Sequence, residues 1–275
     1  MLRKVLAAPA LAAAVAIAPL GFIEAPAAAQ SSAQNAAVRL TADEAADFSK
    51  QVEHRLAEDG ARVAIVFRTG RSRDNLPEGV EYTHGAFWVY RDVVLDGGES
   101  TRGYAVYNLY QGDGETLPVT RSYLHQDWPI DFTLPSAVDD VGVIIPSPEM
   151  QRRIIEIIDS PLYEALHNPD YSLIANPHEN TYQNCNSFML AVIASAAWET
   201  DNLEQIAANL RAYYEPQPLE VGVLARVFGP MFDRRLRTDD QSGALQTATF
   251  RSMERFMETY GLLKESYVLA RSAES

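Results

Sequence analysis

Two hydrophobic rhythms divide the chain. After Thr41-Ala42-Asp43-Glu44, which has the spacing of a capping box, Ala46, Phe48, Val52 and Leu56 recur on one helical face until Gly60 ends the run. The pattern then changes to short apolar stretches. Residues 62–68 read as a strand with a buried centre, 80–90 as a stretch in which His84 opens a strand-like aromatic run, and 104–110 as an alternating strand that puts Asn108 on the face opposite Tyr107. Asp96-Gly97-Gly98 marks the turn between the last two. Further strands are predicted over 117–124 and 141–145, with an aromatic loop at 128–132 between them. From Ser147-Pro148 onward the helical rhythm returns. Helices are predicted from there through Ile158, briefly after Ser160-Pro161, after Cys185, over 202–214, 221–232 and 252–260, before a last strand at 266–269. Strands that precede helices predict an α+β fold, with residues 41–275 as one domain.

The ends and the composition narrow this picture. Met1-Leu2-Arg3-Lys4, an apolar run to Ile23 and Ala27-Ala28-Ala29 have the form of a secretory signal over residues 1–29, followed by a small, polar lead at 30–40. The expected location is the bacterial periplasm, or outside the cell. No later run is long and apolar enough to span a bilayer, and a net charge of −14 disfavours nucleic acid as a partner. With one cysteine there is no internal disulfide, so the 47% hydrophobic content must supply the core.

That cysteine is the centre of the candidate chemistry. Cys185 follows a polar, Asn-rich stretch, in which Asn184 can cap, and opens an apolar helix. There the helix dipole and unpaired N–H groups favour a thiolate, and a neighbouring imidazolium would bring the thiol pKa into a range of roughly 3.5–7.5. A thiolate nucleophile needs a base and a group to orient that base. Of the five histidines, His84 starts a strand beside Gly85, where a sheet can present its ring; Asn108 on the next strand could accept the ring's other N–H. His178, seven residues before Cys185, is the rival base. Arg71, in a loop with two further arginines, could receive an anionic group. Tyr82 belongs to a set of aromatics that could line a groove. The His and Cys spacing suggests no metal site, and no cofactor is expected.

Residues 82–87, the loop with Gly70-Arg71, Leu166-His167-Asn168, residues 171–176 and Tyr182-Gln183-Asn184-Cys185-Asn186 together resemble the bacterial domain of unknown function 2145 family. That family is similar to the permuted branch of the NlpC-type papain-like cysteine hydrolases, in which a strand His precedes the helix Cys. The resemblance implies an antiparallel sheet packed against the Cys helix, with extra helices. It also implies Cys185 as nucleophile, His84 as base and the polar residue of the next strand as orienting group, at Asn108 or, if the alignment slips, Tyr107 or Gln111. The oxyanion would meet the Cys185 N–H and the Gln183 side chain. Relatives act on cell-wall peptides or on lipid esters and amides, so a peptide, cell-wall or lipid-like acyl substrate is implied. A non-catalytic periplasmic binding or assembly protein on the same scaffold is the other expectation.

Overall fold

The apolar runs of the first half pair edge to edge in the computed structural model, which describes residues 34, 36–94, 97–219 and 234–272. Strands β1 (Val63–Arg68), β2 (His84–Val94), β3 (Ser100–Gln111), β4 (Ser122–Asp127), β5 (Asp140–Pro146) and β8 (Leu263–Ala270) form one six-stranded sheet in the order β4-β3-β2-β1-β5-β8. Every pairing in it is antiparallel. The short strands β6 (Gln217–Leu219) and β7 (Leu245–Thr247) pair separately. The chain is therefore a mixed α+β fold with an antiparallel sheet, as the strand-then-helix order predicts.

Period-two alternation gives the sheet two apolar faces. On one, Val63, Ile65 and Phe67 of β1 with Phe87 and Val89 of β2 pack against α3 (Pro148–Ile158), α5 (Cys185–Trp198), α6 (Leu203–Tyr213) and α7 (Phe250–Thr259). On the other, Ala64, Val66, Ala86, Trp88 and Val106 pack against α1 (Ala42–Glu58) and Phe132 of α2 (Pro129–Thr133). Burial differs between the helices. Helix α1 hides only Ala45, Phe48, Ser49, Val52 and Leu56, whereas α5 is buried on every side from Cys185 to Ala196. Each large side chain so buried contributes about 1.5–3 kcal/mol, which fixes α5 against the sheet. A four-residue helix, α4 (Leu162–Ala165), links α3 to the loop that leads to α5. None of the described helices is long and apolar enough to cross a membrane.

Several boundaries differ from the sequence pattern, each for a tertiary reason. Strand β2 starts at His84, as expected, where pairing with Arg68 begins, and runs on past 90 to Val94 because β3 pairs with it that far. The strand expected over 117–124 forms over Ser122–Asp127, because pairing with β3 supplies what its polar residues do not; His125 is thus on a strand and not in a loop. Residues 128–132 give a helical turn, α2, with Pro129 in its first turn and the Asp131 carboxylate accepting the Trp128 N–H at 3.2 Å. Helix α7 begins earlier than 252, capped by Thr249. On α1, Ala45 takes the fully buried place expected of Ala46. The signal expected at 1–29 and the helix expected at 221–232 lie outside the described residues.

One close approach decides how deeply α5 sits. A Cβ at Gly85 would lie 2.4 Å from Met189 Cε on α5 and 2.9 Å from the Phe67 ring. The methionine end can swing away, but the ring, packed between sheet and helix, has less room. Gly85→Ala is expected to lower stability by about 1–3 kcal/mol in urea unfolding, the range for overpacking a core. An unchanged midpoint would show that α5 has slack at this point.

Candidate functional site

The site is built where the first turn of α5 meets the start of β2. Asn184 caps α5: its side-chain oxygen accepts the Ser187 N–H at 2.9 Å, while the Ser187 hydroxyl accepts the Asn184 N–H at 2.8 Å. The Asn184 amide also donates to Leu173 O at 3.1 Å, and the Asn186 amide donates to Ala248 O at 3.0 Å. These ties anchor Cys185 in the first helical turn, 3% exposed. Its thiol donates weakly to Asn186 Oδ1 at 3.7 Å.

The sulfur rests against the peptide that joins His84 to Gly85, because the Gly85 N–H points at it together with the N–H groups of Cys185 and Asn186. Ladder pairing between β2 and β3 runs only as far as Phe87 with Tyr107, which leaves that N–H outside the sheet. The helix-mouth argument alone predicts a depressed thiol pKa. The structure corrects it: burial pushes the Cys185 thiol above its ordinary value, outweighing the three N–H groups and the charge of Arg68, which pull the other way.

His84 is fully buried, opposite Arg68 in the register of β1 and β2. Its ring lies parallel to Tyr110 at 5.7 Å and tilted against Phe132 at 5.7 Å. The ring Nε2 is 3.0 Å from Asn108 Oδ1. Asn108 uses its amide nitrogen on Asp127 Oδ2 at 2.7 Å and on the Tyr110 hydroxyl at 3.1 Å, so its oxygen faces the ring. A carbonyl oxygen only accepts, and His84 must therefore carry its proton on Nε2. This leaves Nδ1 as the basic atom, with no hydrogen-bond partner among the described residues. No hydrogen bond joins ring and thiol. Burial first, then the charge of Arg68, depress the imidazole pKa to about 3, while the Asn108 bond opposes them.

The remaining expected residues are placed as follows. Tyr82 donates to Asp140 Oδ1 at 2.8 Å and, with Arg71, Asn184 and Cys185, lines an open cavity of about 300 Å³. The rest of its wall is mostly apolar, with Leu76, Val80, Leu173, Ile174, Leu219 and Leu245, and carries the polar groups of Thr83, Asn186, Thr247 and Thr249. Gln183 is not in that wall. Its amide oxygen accepts Asn168 N–H at 2.8 Å and its amide nitrogen donates to Leu166 O at 3.0 Å, so both ends are occupied in bracing the loop before Cys185. His178 spends Nε2 on Tyr214 O at 3.0 Å and does not line the cavity that Cys185 opens to. Tyr107 accepts from Arg91 at 2.6 Å, and Asn108 is the β3 residue hydrogen-bonded to the ring.

Two groups, Asp127 and Arg68, escape sequence reasoning. Asp127, from β4, holds Asn108; Tyr110 donates to the same carboxylate, and His125 Nε2 lies 3.3 Å from its other oxygen. Burial raises the Asp127 pKa. Tyr110, two residues from Asn108, belongs to the strand aromatics expected at a groove, whereas Asp127 enters only through strand pairing. Arg68 is fully buried with Nε and Nη1 unpartnered among the described residues. The described residues contain no cluster of His, Cys, Asp and Glu suited to a metal.

The depressed imidazole has a consequence for stability. An unfolded His binds its proton near pH 6.5, the native ring near 3, so the contribution of His84 is fully present above about 6.5 and is lost as pH falls toward 3. His167, depressed to about 4 chiefly by burial, acts with the same sign. The urea midpoint of the native protein should therefore drop more between pH 7 and pH 4 than that of His84→Gln. Parallel profiles would contradict the burial of a neutral ring.

Comparison with known proteins gives a family and no neighbour of established function. The family model described as "Uncharacterized protein conserved in bacteria (DUF2145)" matches residues 55–257, and the chain belongs to this family. No curated protein and no solved structure matches the chain.

Proposed function

We propose that this member of the bacterial family is a cysteine acyl hydrolase of the permuted papain-like kind, with Cys185 as nucleophile, His84 as base and Asn108 as orienting residue. The observation that carries the reading is the position of Cys185. It sits at a capped helix start, on the floor of an open cavity, against the His84–Gly85 peptide and three N–H groups. The hydrogen bond from His84 to Asn108, which leaves Nδ1 basic, supports the same roles. A periplasmic location accords with the form of the N-terminus.

The resting pair is neutral, thiol and imidazole both uncharged, since burial opposes charge on each. Chemistry then starts by general-base catalysis. As Cys185 Sγ bonds to the substrate carbonyl carbon, its proton passes to His84 Nδ1. This step requires the ring, which packs against Phe132 and does not line the cavity, to turn toward the sulfur at the strand end. The Cys185 N–H is the oxyanion donor in this scheme; Gln183 is committed to the loop. Collapse breaks the bond to the leaving alcohol or amine, which takes the proton from His84, and a thioester remains. Water, losing a proton to His84, attacks the thioester; the C–S bond breaks and the thiol regains the proton.

The wall of the cavity selects the acyl side. Leu76, Val80, Leu173, Ile174, Leu219 and Leu245 favour an aliphatic group over the charged side chains of a cell-wall peptide, which would lose water against them. A second reading, an apolar-ligand-binding protein without turnover, is favoured by the raised thiol and by the lack of a bond between ring and sulfur.

Ester hydrolysis separates the two. The protein should cleave p-nitrophenyl octanoate with kcat/KM about tenfold or more above that for p-nitrophenyl acetate. Cys185→Ser and His84→Gln should each lose at least about a hundredfold. Octanoate binding with no Cys185-dependent cleavage would favour the binding protein.

A further inference from the structure

The fold buries a guanidinium without pairing it. Arg68, the last residue of β1, has 1% of its surface exposed, and neither Nε nor Nη1 has a hydrogen-bond partner among the described residues. Its charge is met by the Phe132 ring, 5.2 Å from the guanidinium carbon, and through space by the Asp127 carboxylate, without a hydrogen bond to either free nitrogen. The charge nevertheless persists at neutral pH, since burial lowers the Arg68 pKa only to about 10. An unpaired buried charge costs several kcal/mol, and replacing one with an apolar side chain of similar shape is often stabilising. Retention of such a group is therefore better explained by what it does to its neighbours than by packing.

Those neighbours are the site. Across the register from Arg68 is His84, and across from the adjacent Phe67 is Gly85, whose N–H meets the sulfur. His84 and Arg68 share the Phe132 ring. The ionisable groups within the field of Arg68 are Cys185 of α5, His84 of β2, Tyr110 of β3 and Asp127 of β4. Asp127 is already engaged by Asn108 and Tyr110. Among these four, only Cys185 gains negative charge in the reaction proposed above.

We propose that Arg68 is a positioning residue whose unpaired charge favours the anionic form of Cys185 and keeps His84 in its neutral, proton-accepting state. The inference rests on the acyl-transfer reading for its purpose, but the field itself is measurable without any substrate. Alkylation of Cys185 by iodoacetamide, followed across pH in the full chain, reads the thiol titration; thermal unfolding reads the cost of the buried charge. Arg68→Met should move the alkylation profile to higher pH and slow labelling at pH 7 about tenfold, the change expected for a rise of about one in the thiol pKa. The same variant should unfold at an equal or higher temperature. Arg68→Lys should restore the profile, and Arg68→Gln serves as the second neutral variant if the methionine chain fails to fold. A neutral variant that leaves the profile where it was, or one that lowers the unfolding temperature without moving it, overturns the proposal. Failure of octanoate cleavage together with a shifted profile would remove the hydrolase reading and leave the influence of Arg68 on Cys185 intact.

Discussion

The account depends on one contact, the first turn of α5 against the peptide between His84 and Gly85. Burial of α5 on all sides drives the helix onto the sheet, and the missing Cβ of Gly85 lets Met189 approach closely enough for the sulfur one turn earlier to reach the Gly85 N–H. The capping pair Asn184–Ser187 and the amide ties of Asn184 and Asn186 then fix rotation and depth of the helix start. Hydrophobic burial supplies the force and polar contacts supply the aim. Neither alone would set a thiol beside a particular peptide.

Burial also sets the electrostatics. A cysteine at an exposed helix mouth would ionise readily, but here loss of water dominates for thiol and imidazole alike, so the resting site carries a neutral pair within the field of a buried guanidinium that lacks hydrogen bonds at Nε and Nη1 among the described residues. In the proposed reaction, proton transfer between neutral partners creates charge only as a substrate arrives, when the local field can act on it with little screening. The network His84–Asn108–Asp127–Tyr110 fixes the tautomer by exhausting the donors of Asn108 on the far side. A similar logic governs the cavity, whose apolar wall comes from segments around 76–80, 171–174 and 245–249 that meet only in the folded chain.

What could be read along the chain follows from how local each determinant is. Helix α5, its Asn184 cap and the place of Cys185 are local, as are the capping box of α1 and the Ser147 cap of α3, and these are legible residue by residue. Asn108 is legible by alternation, since parity along β3 puts it opposite Tyr107 and toward the face shared with His84. Asp127 and Arg68 are not, because their roles arise from strand neighbours far away in sequence. Gln183 misleads for a related reason. Beside Cys185 in the chain, it is drawn into bracing Leu166 and Asn168. The direction of the thiol pKa was likewise hidden, since a dipole can be inferred from a helix start but the depth of its burial cannot.

The most direct test of the central claim is to catch the thioester. Intact-mass spectrometry of the protein quenched in acid during turnover of p-nitrophenyl octanoate should show one octanoyl adduct, located on Cys185 by peptide mapping and removed by neutral hydroxylamine. Because p-nitrophenolate leaves readily, acylation outruns thioester hydrolysis and the adduct accumulates in the native protein during turnover. A protein that carries no adduct at Cys185 while binding the ester, or that is acylated elsewhere, would contradict the account.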